Sequence, residues 1–577
     1  MPIGLDRLSF NQDGGANYFF GKTKAVAVWK EALSDQELAD LTYPTPTDPT
    51  FALDFDTIAT DFTFARGSEA TYVDAQGLIQ STNELGPELV TNGNFSSDTD
   101  WLKGPGWSIS GGIATLDVRY GGSSGLGSTS MSVTPGKTYK VVVNVISRSS
   151  GFRLYDNNGV IAYGLNVGEN VFFRTVTSSS YQVTPLGLSG STGSIDSVSV
   201  KEYTTATNTP RLDYSTGAEA FLLEPQSTNL ITYSEDFSQW NETGVINTDN
   251  EIVSPDGTLN ASLITEDATL NSKYTFLNLS ISTNEHALSF FAKYKGRYLQ
   301  VLFGTSDVSG NPYINFDLQN GTFENNGIIN PSIEDFGNGW YKISLQVTPL
   351  VTSNFGVLFS PVPLLTSSRL TSYQGDGTSG IYIWGAQLEQ QSYATSYIPT
   401  SGTSVTRNQE TCINATPEIN SEEGVLYFEG SALSDDGTVR SIALSDGTGV
   451  NRINIRFRSQ SNEVEYSLFV NGETTKTITH NVSDTTNFHK MAALYKEDDL
   501  KFYVNGFLVG SFVSANMLPT NTLNQLNFNS GAGLSDFYGN TKDLQVYTKA
   551  LSDAELIKLT SWTSFIEMAN ALNYNII

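Results

Sequence analysis

The sequence predicts an all-β protein assembled from several antiparallel β-sandwiches, with short capped helices near 34–42 and 552–560. Three observations predict it. First, two Val-Asn-Gly tripeptides, Val470-Asn471-Gly472 and Val504-Asn505-Gly506, each sit between alternating apolar runs, EYSLFVNGETTKTI and LKFYVNGFLVGSF. Asn-Gly tolerates the two positive φ angles of a type I′ turn, so each run reads as a hairpin. Second, 39% of the 577 residues are apolar, yet only 16% are charged and 51 are glycine. Large cores can therefore form beneath a surface of Ser, Thr, Asn and Gln, and the length allows roughly four domains. Third, Leu5–Thr42 aligns without a gap on Leu523–Thr560, with about half the positions identical. Each copy carries an S-x-x-E capping box (Ser34 and Glu37, Ser552 and Glu555) flanked by staple leucines (Leu33 and Leu38, Leu551 and Leu556).

In chain order, residues 1–45 are the shorter copy of this repeat. The strands expected over Leu5–Trp29 would expose unpaired edges and an apolar face. Residues upstream of Met1, or docking on the same chain or a neighbouring subunit, are expected to cover them. Residues 409–562 are the full copy, in which NFHKMAALYKEDD precedes the second hairpin and GNTKDLQVYTKALSDAEL follows it. This order resembles the laminin-G-like branch of the concanavalin-type jelly rolls. The resemblance implies two packed antiparallel sheets.

Residues 85–204 open with ELVTNGNFSSDTDWLKGPGWSISGG and close with GSIDSVSVKEY. That frame resembles the carbohydrate-binding-module jelly rolls found beside polysaccharide-degrading enzymes. Residues 226–408 repeat it more loosely, from NLITYSEDFSQW to SGIYIWGAQLEQ, and end in a connector. Trp107 and Trp340, in GPGWSIS and GNGWYKI, read as core residues.

Residues 46–84 and 205–225 flank the first jelly roll. Phe64, Arg66, Ala70, Thr71, Tyr72, Val73, Asp74, Gly77 and Leu78 stand in the first piece. Pro210, Arg211, Asp213, Tyr214 and Glu224 stand in the second, which runs on into Gln226, Thr228, Asn229 and Leu230. Together they resemble one continuous signature of phage appendage proteins, of the kind described as head-spike or tail-fibre domains, here split by the insertion of 85–204 at a loop tip. The resemblance implies a virion protein, assembled in the host cytoplasm and extracellular after lysis. Its implied partners are host cell-surface polysaccharide and other virion proteins, and it implies a homo-oligomer, trimeric by analogy with fibres. The tail 563–577 is amphipathic and is expected to dock on a core.

Charge excludes one class of partner. The formal net charge of −28 repels phosphate backbones, so no nucleic acid is expected. No run approaches the roughly 20 apolar residues of a membrane span, so no membrane insertion is expected. MPIGLDRLSF has neither a basic nor an apolar signal region, and the single cysteine, Cys412, excludes an intrachain disulfide. These features fit a particle assembled in the cytoplasm.

Catalytic patterns are scarce. The three histidines, His286, His480 and His489, are dispersed, and His489 is expected to be packed. Zincin, thiol-redox, nucleophile-elbow and P-loop motifs are absent. Glycoside hydrolysis needs two carboxylates about 5–9 Å apart, which the glycanase branch supplies as E-x-D-x-x-E on one strand. No such alternation is found here, and Asp435-Asp436 and Asp498-Asp499 fall in turns. A non-enzyme is expected. Sugar binding needs aromatic faces with polar groups at their rim, and Trp101, Tyr120, Tyr155 and Tyr163 of the inserted jelly roll are the candidates. The binding-module resemblance also implies a structural Ca2+, whose ligand positions fall on Asn94 and Asp196; Ser96 stands where an acidic residue is usual. The function expected is non-catalytic, multivalent adhesion of a phage appendage to host glycans. The alternatives are a bacterial surface or secreted glycan-binding adhesin and a glycan depolymerase.

Overall fold

The Asn-Gly turns take the conformations their sequence demands. In the computed structural model, which describes residues 11–12, 16–18, 48–117, 122–513 and 518–562, Asn471 and Gly472 have φ of 53° and 84°, and Asn505 and Gly506 of 51° and 87°. Two positive φ values in succession match the strand twist. Glu463–Val470 therefore returns as Glu473–Asn481, and Leu500–Val504 as Phe507–Phe512. The helix Asp553–Thr560 has the predicted capping box: Ser552 Oγ accepts from the Glu555 backbone N–H, and the Glu555 carboxylate accepts from Ser552 N–H at 2.7 Å. Leu551 and Leu556 are both buried beside it.

The chain divides into two compact units, Met1–Pro49 and Thr50–Ile577. In the first, Asn11–Gln12 pairs antiparallel with Ala16–Tyr18. The helix expected near 34–42 lies outside the described residues, as does the tail 563–577. The second unit holds three β-sandwiches, as the all-β expectation requires.

The C-terminal sandwich is not built from the C-terminal residues alone. Its smaller sheet runs Glu473–Asn481, Glu463–Val470, Arg452–Phe457, Arg440–Ser445, Gln525–Asn527. Its larger sheet of eight strands is centred on Gly539–Tyr547, Glu423–Ala432 and His489–Lys496. Two strands from far upstream, Arg211–Asp213 and Ala220–Leu223, extend it, with Phe221 opposite Thr541 and Leu223 opposite Gly539. Phe51 pairs with Val546 on the same central strand, and Thr63–Ala65 pairs with Thr411–Ile413. Ile58, Phe62, Phe64 and Phe221 enter its core beside Phe428, Phe528 and Leu544. The sequence suggests a separate segment at 46–84 plus 205–225 and a complete module at 409–562. The hydrogen bonding instead adds three strands of that segment, Phe51–Ala52, Arg211–Asp213 and Ala220–Leu223, to the module's larger sheet, and its residues Ile58, Phe62, Phe64 and Phe221 to the module's core.

The other two sandwiches are loops out of this one. Glu84 faces Thr204 across a strand pair, which brings the ends of the first excursion together. Between them, one sheet runs Gly168–Thr175, Thr138–Arg148, Thr192–Thr204, Ile113–Asp117, Trp107–Ser110, and the other runs Gly159–Ala162, Phe152–Asp156, Val183–Gly187, Ser124–Ser128, Trp101–Lys103. Ser227 faces Arg407 and Asn229 faces Val405, closing the second excursion in the same way. It contains two six-stranded sheets around Phe290, Val301, Phe316 and Phe359. Trp107 is buried in the first excursion, as expected. Trp340 is buried on the outer face of the second, where Ile79 of the hairpin Thr71–Ser81 packs with Phe291, Trp384 and Tyr397.

The signature residues converge where the chain passes between sandwiches. Glu410 accepts from Arg66 Nη1 at 2.7 Å, and from Arg211 Nε at 2.9 Å and Nη2 at 2.5 Å. Glu224 pairs with Arg211 Nη2 at 2.8 Å and Arg407 Nη1 at 2.7 Å, and accepts from the Ser396 hydroxyl and backbone N–H. Burial pushes the Glu224 carboxyl up, but Arg407 and Arg211 outweigh it and hold the group down to about 2. Charges this deep persist only when nearly every donor and lone pair is used: Thr71, Thr209 and Pro225 supply backbone carbonyls to Arg211 Nη1, Arg66 Nη1 and Arg407 Nη2, and Arg407 Nε is left without an acceptor among the described residues.

Candidate functional site

Strand alternation places a polar-aromatic patch on the outside of the inserted sandwich. Along Phe152–Asp156, Phe152, Leu154 and Asp156 point into the core while Arg153 and Tyr155 point out. Thr184 and Leu186 of Val183–Gly187 are their neighbours on that face, opposite Tyr155 and Arg153 respectively. Gly125 lies next, opposite Leu186, and Gly127 opposite Leu102. A Cβ at Gly125 would come within 2.7 Å of Thr184 Cγ2, so a side chain there would displace the floor of the face. The two glycines leave a strip without side chains, bounded by Leu102 on one side and by Thr184 and Leu186 on the other, beyond which stand Arg153 and Tyr155.

Tyr163 completes the patch. The residue is 74% exposed, and the Arg153 guanidinium lies 5.2 Å from its ring centroid. Arg153 Nη1 also donates to Tyr155 Oη at 3.3 Å. One arginine thus holds two tyrosines, the cation–π contact being worth about 0.5–1 kcal/mol at an exposed site. An exposed ring held in place presents a flat surface suited to the C–H face of a sugar, with the Arg153 guanidinium over its other face and the Thr184 hydroxyl beside Tyr155. Arg153 and Leu102 carry no sequence signal for this role; only the cross-strand register brings them to the tyrosines.

The other predicted residues are placed differently. Trp101 is 7% exposed, packs with Phe95 at 5.0 Å between centroids, and donates its indole N–H to the Asn92 carbonyl. Its ring is committed to the core and offers no stacking face. Tyr120 lies outside the described residues. Asn94 and Asp196 sit on adjacent segments, linked by the Val198 N–H to Gly93 carbonyl bond of 2.9 Å. Their side chains have different occupations: Asn94 Oδ1 accepts from Ser96 N–H at 3.3 Å, and the Asp196 carboxylate accepts from Asn144 and Ser197, both at 3.1 Å. A hard cation needs six or more oxygens turned to one point, and these two residues as oriented do not fit such a cage. Among the described residues no group of three or more His, Cys, Asp or Glu side chains is placed to hold a metal ion.

His489 is packed, as expected: burial depresses its pKa, Nε2 meets the Asp484 carbonyl at 2.8 Å, and Nδ1 meets Asn505 Nδ2 at 2.9 Å. Cys412 is buried too. A carboxylate pair that no single strand announces appears on the outer face of the C-terminal sandwich, where Glu429 and Asp543 stand directly opposite each other on neighbouring strands. Burial raises the pKa of both. Tyr427 Oη donates to Glu429 at 3.2 Å, Lys490 Nζ is 3.8 Å from it, and Gln545 donates to Asp543 at 2.5 Å.

Residues 420–557 match the profile of the Concanavalin A-like lectin/glucanases superfamily, which falls on the C-terminal sandwich. No curated protein matches the chain. Among solved structures, the chain is similar to the Ruminococcus gnavus IT-sialidase CBM40 bound to alpha2,3 sialyllactose, at 18% identity over 24% of this chain and 83% of that one, with a TM-score of 0.22. The CBM22-1–CBM22-2 tandem domain of Paenibacillus barcinonensis Xyn10C is similar at 12% identity over 54% and 98%, TM-score 0.19. Bacillus licheniformis β-glucanase is similar at 18% identity over 25% and 72%, TM-score 0.19.

Proposed function

We propose that this chain is a virion appendage protein of a bacteriophage or prophage, a fibre, spike or head decoration that adheres to host-surface glycans without cleaving them. The observation that carries the glycan reading is the Arg153–Tyr155–Tyr163 face, a fixed and exposed aromatic surface with polar groups at its edge. Single sugar contacts of this kind are weak. Copies of the chain joined in one homo-oligomer on a virion would engage together and gain from high effective concentration.

The appendage reading rests on the split signature. Its arginines and glutamate lock the point where three sandwiches meet, which suits a protein that transmits force from a cell surface to a particle. Purified virions analysed by mass spectrometry test this part: the protein must be present among the structural proteins. Binding of labelled protein to an array of bacterial surface polysaccharides tests the other, with Tyr163→Ala as the control that must lose signal.

A second reading, glycan depolymerase, is favoured by the opposed Glu429 and Asp543. Directly opposed residues have Cβ atoms about 4.5–5.5 Å apart, near the carboxyl spacing of about 5–5.5 Å used by retaining glycosidases. Against it, both carboxylates are engaged by Tyr427, Lys490 and Gln545. Shortening of polysaccharide chains by the wild type but not by Glu429→Gln would establish this second reading in place of the first.

A further inference from the structure

A partly enclosed cavity of about 180 Å³ lies where the hairpin Thr71–Ser81 and the strand Arg211–Asp213 meet the middle and C-terminal sandwiches. One wall is aromatic: Phe291 and Phe336 meet edge to face at 4.9 Å between centroids, with Tyr72 nearby. The polar lining divides into groups that are spent and groups that are not. Asp213, 2% exposed, accepts from the backbone N–H groups of Val73 and Ser215, both at 2.8 Å. Asn540, by contrast, is 8% exposed, and its buried Oδ1 accepts no hydrogen bond among the described residues. The Lys342 ammonium also lines the cavity and makes no ion pair among the described residues.

A buried amide oxygen without a donor costs about 1–3 kcal/mol, and such groups call for an occupant. The cavity has room for about six water molecules at roughly 30 Å³ each, near the size of a single pyranose with its dozen or so non-hydrogen atoms. Water can meet the polar part of the lining, but each buried molecule needs two to four polar partners, and the wall of Phe291 and Phe336 offers it none. A pyranose matches both sides, with its C–H face on Phe291 and Phe336 and its hydroxyls on Asn540 and Lys342.

We propose that this junction cavity is a second binding site, for one pyranose residue of a host-surface glycan. Lys342 serves either a ring hydroxyl or the carboxylate of a uronic acid. The site stands apart from the Tyr155–Tyr163 face and shares with that reading only the class of ligand.

The test is isothermal titration of the full chain with glucose, galactose, N-acetylglucosamine and glucuronic acid, followed by crystal soaks with the same sugars. One of them is expected to bind at one site per chain. Lys342→Ala and Asn540→Leu should each weaken it about tenfold, the loss of one hydrogen bond to a charged or buried group. Binding of glucuronic acid alone assigns a carboxylate to Lys342, and binding of a neutral sugar assigns a hydroxyl. Tyr163→Ala should leave this binding unchanged, so the two sites fail independently. The proposal is overturned if the cavity holds only ordered water in every soak, or if binding in Lys342→Ala, whose half-buried position tolerates truncation, equals that of the wild type.

Discussion

Arg211 and Glu410, 199 positions apart in sequence, form a two-pronged ion pair in which Nε donates to Oε1 at 2.9 Å and Nη2 to Oε2 at 2.5 Å, with both side chains fully buried. The fork geometry is specific to a guanidinium. It ties a strand added to the C-terminal sandwich to the segment that returns from the middle one. Arg211→Met would leave Glu410 with Arg66 alone and Glu224 with Arg407 alone. Breaking a buried pair in this way costs roughly 3–5 kcal/mol, and Arg211→Lys should recover only part of it. Differential scanning calorimetry at pH 7 checks this: a loss of less than about 2 °C in Tm would show that the junction is not a source of stability.

The nesting of the sandwiches makes opposite predictions for two truncations. Replacing 85–204 by a short turn should leave a folded protein, because Glu84 and Thr204 already lie side by side and insertions at such sites are separable. Residues 409–562 expressed alone should not fold. They lack the paired strand Ala220–Leu223 and the core rings of Phe62, Phe64 and Phe221, each of which is worth about 3–5 kcal/mol when removed to alanine. Supplying residues 50–226 in trans should rescue the fragment. Proton spectra and gel filtration of the two truncated chains distinguish folded from collapsed ones.

What was legible in the sequence follows the range of the interactions. The Asn471-Gly472 and Asn505-Gly506 turns and the Ser552–Glu555 cap depend on neighbours a few residues away, and they are found where the sequence predicts them. Phe221 is also visibly a strand residue, but its partner Thr541 is set by a topology in which the whole middle sandwich and most of the C-terminal one intervene, and no local pattern encodes that. The same limit applies to the sites. Tyr155 and Tyr163 could be suspected as exposed aromatics, whereas Trp101, equally aromatic, is committed to Phe95 and the Asn92 carbonyl. The Glu429–Asp543 pair has no local sequence pattern, because its members lie on strands brought together only by the fold.

Two carboxylates, the buried Glu224 and the half-buried Glu235, should shape the dependence of stability on pH in opposite senses. Glu224, held down to about 2 against the push of burial by Arg407 and Arg211, contributes fully above the unfolded value of about 4.5. That contribution is lost as pH falls towards 2. Glu235 is pushed up to about 7 by burial, with Asp256 adding to the rise; Tyr397 Oη at 2.8 Å, Asn260 Nδ2 at 3.1 Å and Lys140 oppose it. Its folded form retains a proton that the unfolded chain gives up, so its contribution is full below about 4.5 and disappears as pH rises through 7. Asp249, raised to about 6 chiefly by burial, acts in the same direction. Urea unfolding should therefore show the protein more stable near pH 5 than at pH 8, by roughly 2–3 kcal/mol. The double variant Glu235→Gln Asp249→Asn should flatten that slope. An unchanged slope would place the titrating groups elsewhere.

The exposed face of the inserted sandwich yields a prediction in which binding and stability separate. Tyr163 is 74% exposed, so Tyr163→Ala removes little packing, and surface changes of this kind fall within about 0.5 kcal/mol. If the ring stacks on a sugar, the same change should weaken polysaccharide binding about tenfold, as for an aromatic contact worth roughly 1–1.5 kcal/mol. Arg153→Ala should act through the tyrosines, since it removes both the contact under the Tyr163 ring and the hydrogen bond to Tyr155 Oη. Its loss of affinity should be intermediate, and Arg153→Lys, which keeps the cation without the planar group, should restore part of it. Gly125→Val offers the converse case, because its side chain would strike Thr184 Cγ2 and fill the strip between Leu102 and Thr184. It should abolish binding while Tyr163 stays in place. Surface plasmon resonance on immobilised host polysaccharide, with Tm measured in parallel, checks all four variants; equal binding by wild type and Tyr163→Ala would remove this face from the adhesion mechanism.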